Sequence, residues 1–284
     1  MAQPRTQAAT ENQHYKMQNY CKTIGALAAA SALVAGNALA GTPTPTPAPV
    51  QPAPAAIQYE MHTGYSSEYL YRGVNLGQDL IEVGADVRGE MNGFGLSAGA
   101  WYGTVTGGSA LGFMLPWDMT LTELDLYAEA SYKFGGLKTS VGYIYRNYNL
   151  DIVGNQNTAE VYFGLGYDFG FVNASLTYYW GVNGADYNGW TPGTTDGYTE
   201  LALNRSFEIS PCWNINLSTN VGYLVEGDAW TSWTSKVSLD WGFAEHAKLS
   251  PFVALAIGLG QSEDTIWYST TNQIVGGCML SVNF

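Results

Sequence analysis

Apolar and polar side chains alternate one by one through most of this chain from Ile57 to Phe284, and a period of two is that of a β-strand with unlike faces. Between Leu121 and Phe134, Leu124, Leu126, Ala128, Ala130, Tyr132 and Phe134 share one face, and Glu123, Asp125, Glu129 and Lys133 share the other. Val237, Leu239, Trp241 and Phe243 oppose Thr234, Lys236, Ser238 and Asp240, while Ile215, Leu217 and Val221 oppose Asn214, Asn216, Ser218 and Asn220. The last run sets Ile274, Gly276, Cys278, Leu280, Val282 and Phe284 against Gln273, Gly277, Ser281 and Asn283. About twelve such segments follow one another, each near the roughly ten residues of a tilted membrane-crossing strand. Short links at Asn92-Gly93, Gly135-Gly136, Phe169-Gly170, Ser210-Pro211-Cys212 and Ala244-Glu245-His246 alternate with longer ones. The longer ones fall near Asn75 to Gln78, Thr106 to Thr120, Asn149 to Asn157, Asn183 to Asp196, Glu226 to Thr231 and Gln261 to Thr271. That alternation gathers the tight turns at one rim and the long loops at the other.

A secreted sandwich or lectin-like module would show the same two-faced strands, so periodicity does not tell inside from outside. Three other features do. Tyr and Trp cluster at the ends of the apolar stripes (Tyr102, Tyr132, Tyr143, Tyr145, Tyr178, Trp180, Trp213, Tyr223, Trp233, Trp241), where aromatic girdles meet lipid headgroups. The polar face is dense in small residues, among them Gly95, Ser97, Gly99, Gly103, Ser140, Gly142, Gly164 and Gly166, which suit a curved wall around a confined interior. An export signal also precedes the array. Ile24 to Gly36 is a short apolar run behind Lys16 and Lys22, followed by the small-x-small site Ala38-Leu39-Ala40, and it is too short to span a bilayer. Cleavage is expected after Ala40, with Met17 as an alternative start to Met1.

The domain reading is therefore an extension and signal peptide at 1–40, a proline-rich linker at 41–56 and an outer-membrane β-barrel at 57–284. The fold expected is all-β, an antiparallel transmembrane up-and-down barrel of about twelve strands. The localisation expected is the bacterial outer membrane. Loss of residues 1–40 removes Arg5, Lys16, Lys22 and Glu11, leaving 8 basic against 23 acidic residues, a net charge of −15. Such acidity excludes nucleic acid as a natural partner. Outer-membrane lipid and small solutes or ions are the partners expected. Cys212 and Cys278 show no disulfide framework and no metal-ligand spacing, and no cofactor is expected.

With the apolar stripes facing lipid, strand parity assigns the lumen. The candidate pore-lining residues are Glu68, Arg72, Glu82, Asp86, Arg88, Glu123, Asp125, Glu129, Lys133, Arg146, Glu160, Glu200, Lys236 and Asp240. Glu60 and His62 share the first strand's inner face, and Arg205 is the strand charge that lands on the lipid side. A charge facing the bilayer midplane costs about 2 to 4 kcal/mol, so this segregation is what lipid exposure demands. The chemistry implied is a water-filled passage for small solutes or ions whose acidic excess favours cations. Two other readings stand beside it: a structural or adhesive barrel with a closed lumen, its cations paired to neighbouring carboxylates, and an outer-membrane hydrolase. Catalysis has little to stand on, since His62 and His246 are the histidines after the signal and no Gly-x-Ser-x-Gly, His-Glu-x-x-His or nucleotide fingerprint occurs. No enzyme activity is expected.

Gly64 to Gly77 (GYSSEYLYRGVNLG) contains Ser66-x-x-Tyr69-x-x-Arg72-Gly73, and it resembles the opening motif of the TorF-type porin family (Gcw_chp) of bacterial outer-membrane proteins. The likeness continues through Glu123-Leu124-Asp125-Leu126-Tyr127, Val141 to Tyr145 and Glu160 to Tyr167, so that it spans most of Gly64 to Tyr223. The resemblance implies an outer-membrane barrel that conducts solutes, and it joins with parity in selecting Arg72. The proline-rich linker and an apolar insertion at Ala110 to Trp117 depart from the pattern. The final strand, closing on Phe284, resembles the signal read by the barrel-assembly machinery, which is expected as a partner.

Overall fold

Asn92 and Gly93 both have positive φ, 53° and 82°, the pairing that a two-residue type I′ hairpin demands and that matches strand twist. Two-residue links at Gly135-Gly136, Pro211-Cys212 and Glu245-His246 also join the strands beside them, and of these six residues Gly135 alone has positive φ, 58°. The computed structural model describes residues 38–39, 57–106, 120–150, 154–183, 197–225, 227–259 and 272–284. The twelve strands that form the barrel are β1 (Gln58–Tyr71), β2 (Val74–Met91), β3 (Phe94–Thr106), β4 (Thr120–Phe134), β5 (Leu137–Leu150) and β6 (Gly154–Asp168), then β7 (Asn173–Asn183), β8 (Tyr198–Ser210), β9 (Trp213–Leu224), β10 (Ala229–Ala244), β11 (Ala247–Gly258) and β12 (Gln273–Asn283). Each pairs antiparallel with its neighbours in sequence. β12 closes the barrel on β1, from Gly277 opposite Ser66 to Asn283 opposite Glu60. The backbone bond from Phe284 N to Tyr59 O, 2.9 Å, carries the seam to the chain's last residue.

Parity holds around the wall. Leu124, Leu126, Val141, Tyr143, Phe163, Leu165, Leu201, Leu203, Val237 and Val253 are exposed on the outer surface, whereas the charged residues between them turn inward. Ten or more residues of alternating strand, wrapped in an apolar belt and with no free sheet edge, make a transmembrane barrel. The short-turn rim carries an aromatic girdle in which Phe94 meets Tyr132 at 4.9 Å, Tyr167 meets Phe169 at 4.7 Å and Trp213 stacks on Trp241 at 5.8 Å. Near the opposite rim Tyr223 meets Trp230 at 5.1 Å. Arg205 behaves as a rim charge. Its guanidinium lies over Phe207 and donates to the Gly170 carbonyl at 2.6 Å, in the turn between β6 and β7.

The first link departs from expectation. Asn75 to Gln78 is strand, and the turn falls at Arg72-Gly73, whose φ values of 49° and 88° again fit a type I′ hairpin. This hairpin leaves the wall. β1 pairs with β12 no further than Ser66, and β2 reaches β3 only through Gln78 opposite Thr106, after a shift at the positive-φ residue Asp79. Between those points, ladder pairing within the barrel joins the two arms of the hairpin to each other alone. The two-residue strand Ala38–Leu39 adds in parallel to Tyr69 and Leu70. The tip is folded into the lumen, for Tyr69, Leu70, Tyr71, Val74, Leu76 and Leu80 are all buried together with the inner faces of other strands. Two further links are shorter than expected: strand runs to Leu150 and resumes at Gly154, and the link after Leu224 ends at Ala229. The interiors of the predicted links Thr106 to Thr120, Asn183 to Asp196 and Gln261 to Thr271, the apolar segment Ala110 to Trp117, the linker and most of the export signal lie outside the described residues. Cys278 is free, so Cys212 and Cys278 form no bridge with each other; Cys212 is disulfide-bonded to a residue outside the described ones.

Candidate functional site

The barrel interior has two zones, divided by the tip of the inward hairpin. At the tip, Arg72 extends from the turn to Glu160 on β6 and pairs with both of its oxygens, Nη1 to Oε1 at 2.7 Å and Nη2 to Oε2 at 2.8 Å. A planar guanidinium meeting a carboxylate through two parallel bonds is the strong, directional form of this pair. Arg146 on β5 donates to the same Oε2 at 2.6 Å and lies 3.4 Å from Asp125 on β4. Tyr69 donates to Glu123 at 2.6 Å. Three tyrosine rings surround the Arg72 guanidinium, with Tyr198 at 4.2 Å, Tyr179 at 4.5 Å and Tyr71 at 4.9 Å from Cζ. The side chains of Arg72, Arg146 and Glu160 are each 5% exposed or less.

Toward the short-turn rim the interior is wetter. Arg88 pairs with Glu60, Lys138 with Glu129, Lys248 with Asp240 and His62 with Asp86, and these side chains keep between 14% and 33% of their exposure. Enclosed by a wall whose outer face is apolar, they form a partly solvent-exposed vestibule toward the short-turn end. Lys133 sits at the very rim, half-exposed and paired with Glu90. Lys236 meets no carboxylate within 4.0 Å among the described residues, and its ammonium lies 4.0 Å from the centre of the Phe252 ring.

Inner glycines and inner aromatics are partners across neighbouring strands. A Cβ built on Gly99 would overlap Tyr127, one on Gly142 would overlap Tyr162, one on Gly222 would overlap Tyr198, and one on Gly103 would overlap Trp101 beside it on β3. Each ring therefore lies flat on bare backbone, where a side chain would push it into the bore. The polar tip of each then bonds a carboxylate: Trp101 to Glu82 at 2.6 Å, Tyr127 to Asp86 at 2.6 Å, Tyr162 to Glu129 at 3.0 Å and Tyr198 to Glu200 at 3.4 Å. The rings fix where the interior charges stand.

Arg72, Glu123, Asp125, Arg146 and Glu160 are thus brought into one buried network. Asp86, Arg88, Glu129 and Asp240 fall in the vestibule, and Glu82, Glu200 and Lys236 sit along the wall between. Glu68 lies on the inward hairpin opposite Gln78. Parity placed Arg72 on the inner face of a wall strand; it is a turn residue bound to Glu160, because the hairpin bends inward before it. Sequence reasoning assigned aromatics to the outer girdles and missed Trp101, Tyr127, Tyr162, Tyr179 and Tyr198 as interior groups. Parity within the strand was the available signal, for Trp101 shares it with Gly99 and Gly103, Tyr127 with Asp125 and Glu129, Tyr162 with Glu160 and Gly164, and Tyr198 with Glu200. His62 bonds no serine or threonine hydroxyl among the described residues, and no group of three His, Cys, Asp or Glu there has metal-holding geometry.

No family model and no curated protein sequence matches the chain. Among solved structures, an outer-membrane channel from Pseudomonas putida F1 superposes with a TM-score of 0.52 at 12% identity, covering 83% of this chain and 97% of that one. The KdgM porin gives 0.47 at 12% identity over 80% and 99%, and the Escherichia coli outer membrane phospholipase A gives 0.41 at 15% over 80% and 92%. At such identity the likeness to the Pseudomonas channel is one of fold. The class that fold and interior define is a twelve-stranded transmembrane β-barrel of the bacterial outer-membrane type.

Proposed function

We propose that the chain is a porin-like channel of the bacterial outer membrane, passing small solutes or ions with a preference for cations, and that the inward hairpin is its constriction. One observation carries the reading. The interior sets Glu60, Glu82, Asp86, Glu123, Asp125, Glu129, Glu160, Glu200 and Asp240 against Arg72, Arg88, Lys138, Arg146, Lys236 and Lys248, nine carboxylates to six cations, and the vestibule end of that array stays wet. An acidic, water-accessible bore in a low-dielectric wall concentrates cations and repels anions. Kinship with the TorF-type porins belongs to the same proposal, supported by Ser66, Tyr69, Arg72 and Gly73. So do export by a cleavable signal and insertion by the barrel-assembly machinery through β12.

A closed structural barrel is the second reading, favoured by the burial of the hairpin and its ion pairs. Conductance in planar bilayers decides between them, with the purified barrel compared to a variant in which 67–77 is replaced by a short glycine-serine turn. The channel reading expects small cation-selective currents from the intact protein and currents several times larger from the variant. Silence of the intact protein, with current appearing only on loss of the hairpin, establishes the closed barrel instead.

A further inference from the structure

We infer that Glu160, Tyr179 and Tyr198 form a guanidinium-recognition cage on the barrel wall, that Arg72 occupies it as an internal ligand, and that the cage is a binding subsite for guanidinium-bearing solutes. The physiological use of such a subsite rests on the channel reading above; its existence does not. The wall supplies every element that guanidinium recognition needs. Glu160 presents both oxygens to a planar fork at 2.7 and 2.8 Å, and two rings from β7 and β8 offer π faces within 4.5 Å of the same carbon. Neither ring belongs to the hairpin, so the cage exists apart from the residue that fills it.

Charge makes the cage a cation site rather than mere packing. Without the Arg72 guanidinium, Glu123, Asp125 and Glu160 would share Arg146 as the one cation of the buried network. Unpaired carboxylates that far from water are costly, so the vacancy draws in a cation. A line of packed rings also joins it to the vestibule. Tyr162, bonded to the partly exposed Glu129 of the vestibule, lies 5.6 Å from Tyr179, which lies 5.8 Å from Tyr198. These two ring contacts connect the vestibule with the place Arg72 now occupies. Only the Arg72 side chain has to give way, since the rings and the carboxylate stay on the wall.

Chemical complementation tests this in the full-length barrel. Arg72→Ala empties the cage, and methylguanidinium chloride should raise the thermal unfolding midpoint of R72A at about tenfold lower concentration than sodium chloride does. The wild type should show the same preference at higher methylguanidinium concentration, since the solute there must displace Arg72, and R72A carrying Glu160→Gln should lose the selective response. In planar bilayers methylguanidinium should block R72A currents that sodium carries. An R72A barrel that responds equally to both salts overturns the cage, whether or not it conducts. A selective shift without current in any variant keeps the cage and removes the channel. Should R72A fold poorly in sodium, its refolded yield becomes the readout: recovery with methylguanidinium supports the cage, and an unchanged yield overturns it.

Discussion

Glu160 holds two guanidiniums at once, Arg72 on both oxygens and Arg146 on one, at 2% side-chain exposure. Glu160→Gln replaces a charged acceptor of three bonds by a neutral amide and leaves two buried cations short of an anion. Breaking a buried pair from one side costs about 3–5 kcal/mol, more than the pair's net worth, because the orphaned charge remains. E160Q should therefore unfold in vesicles at distinctly lower urea than the wild type, while Glu90→Gln at the half-exposed rim should shift the midpoint little. Equal effects would remove the network from the stability argument. Each partner was legible alone: parity turned Arg72, Arg146 and Glu160 inward. The pairing of Arg72 with a carboxylate 88 residues away was not, because local spacing offers Glu68 and Glu82 first and carries no record of a hairpin bending inward.

Strands were the most legible elements, since period two and dipeptides such as Asn92-Gly93 are local properties. The β1–β2 hairpin was misread for a physical reason. Asn75, Gly77 and Gln78 have the composition of a link, whereas Tyr69, Leu70, Tyr71, Val74 and Leu76 break the alternation with apolar residues of both parities. That break is what burial on both faces looks like, and it marks an element surrounded by protein rather than one wall of a barrel. The glycine and aromatic pairing of β5 and β6 is a second element-scale device. Gly142→Ala places a methyl where the Tyr162 ring lies, and the ring must swing into the bore and release Glu129. Overpacking of this kind costs about 1–3 kcal/mol. Ala at Gly89, where nothing stands within reach of a Cβ, should cost far less. Paired urea titrations of G142A and G89A measure the difference.

At the scale of the molecule, the outer wall is apolar, the hairpin fills one stretch of the bore and a charged vestibule lies below it. Selectivity should follow from the vestibule, because its carboxylates keep contact with water whereas Glu123 and Glu160 of the network are buried. Asp86, at 22% exposure, and Glu129, at 20%, keep contact with water and face entering ions. Asp86→Asn with Glu129→Gln should move the reversal potential of the conducting barrel toward zero under a potassium chloride gradient. The displacement should be largest at low salt, where the Debye length exceeds roughly 10 Å and fixed charges act across the bore. Leu126→Lys, on the exposed outer face midway along β4, serves as the opposing control. It should lower stability by about 2 to 4 kcal/mol and leave selectivity alone, because its charge lies on the far side of the wall. A reversal potential moved by L126K and untouched by the double neutralisation would place the conducting path outside this vestibule and overturn its role as the selectivity region.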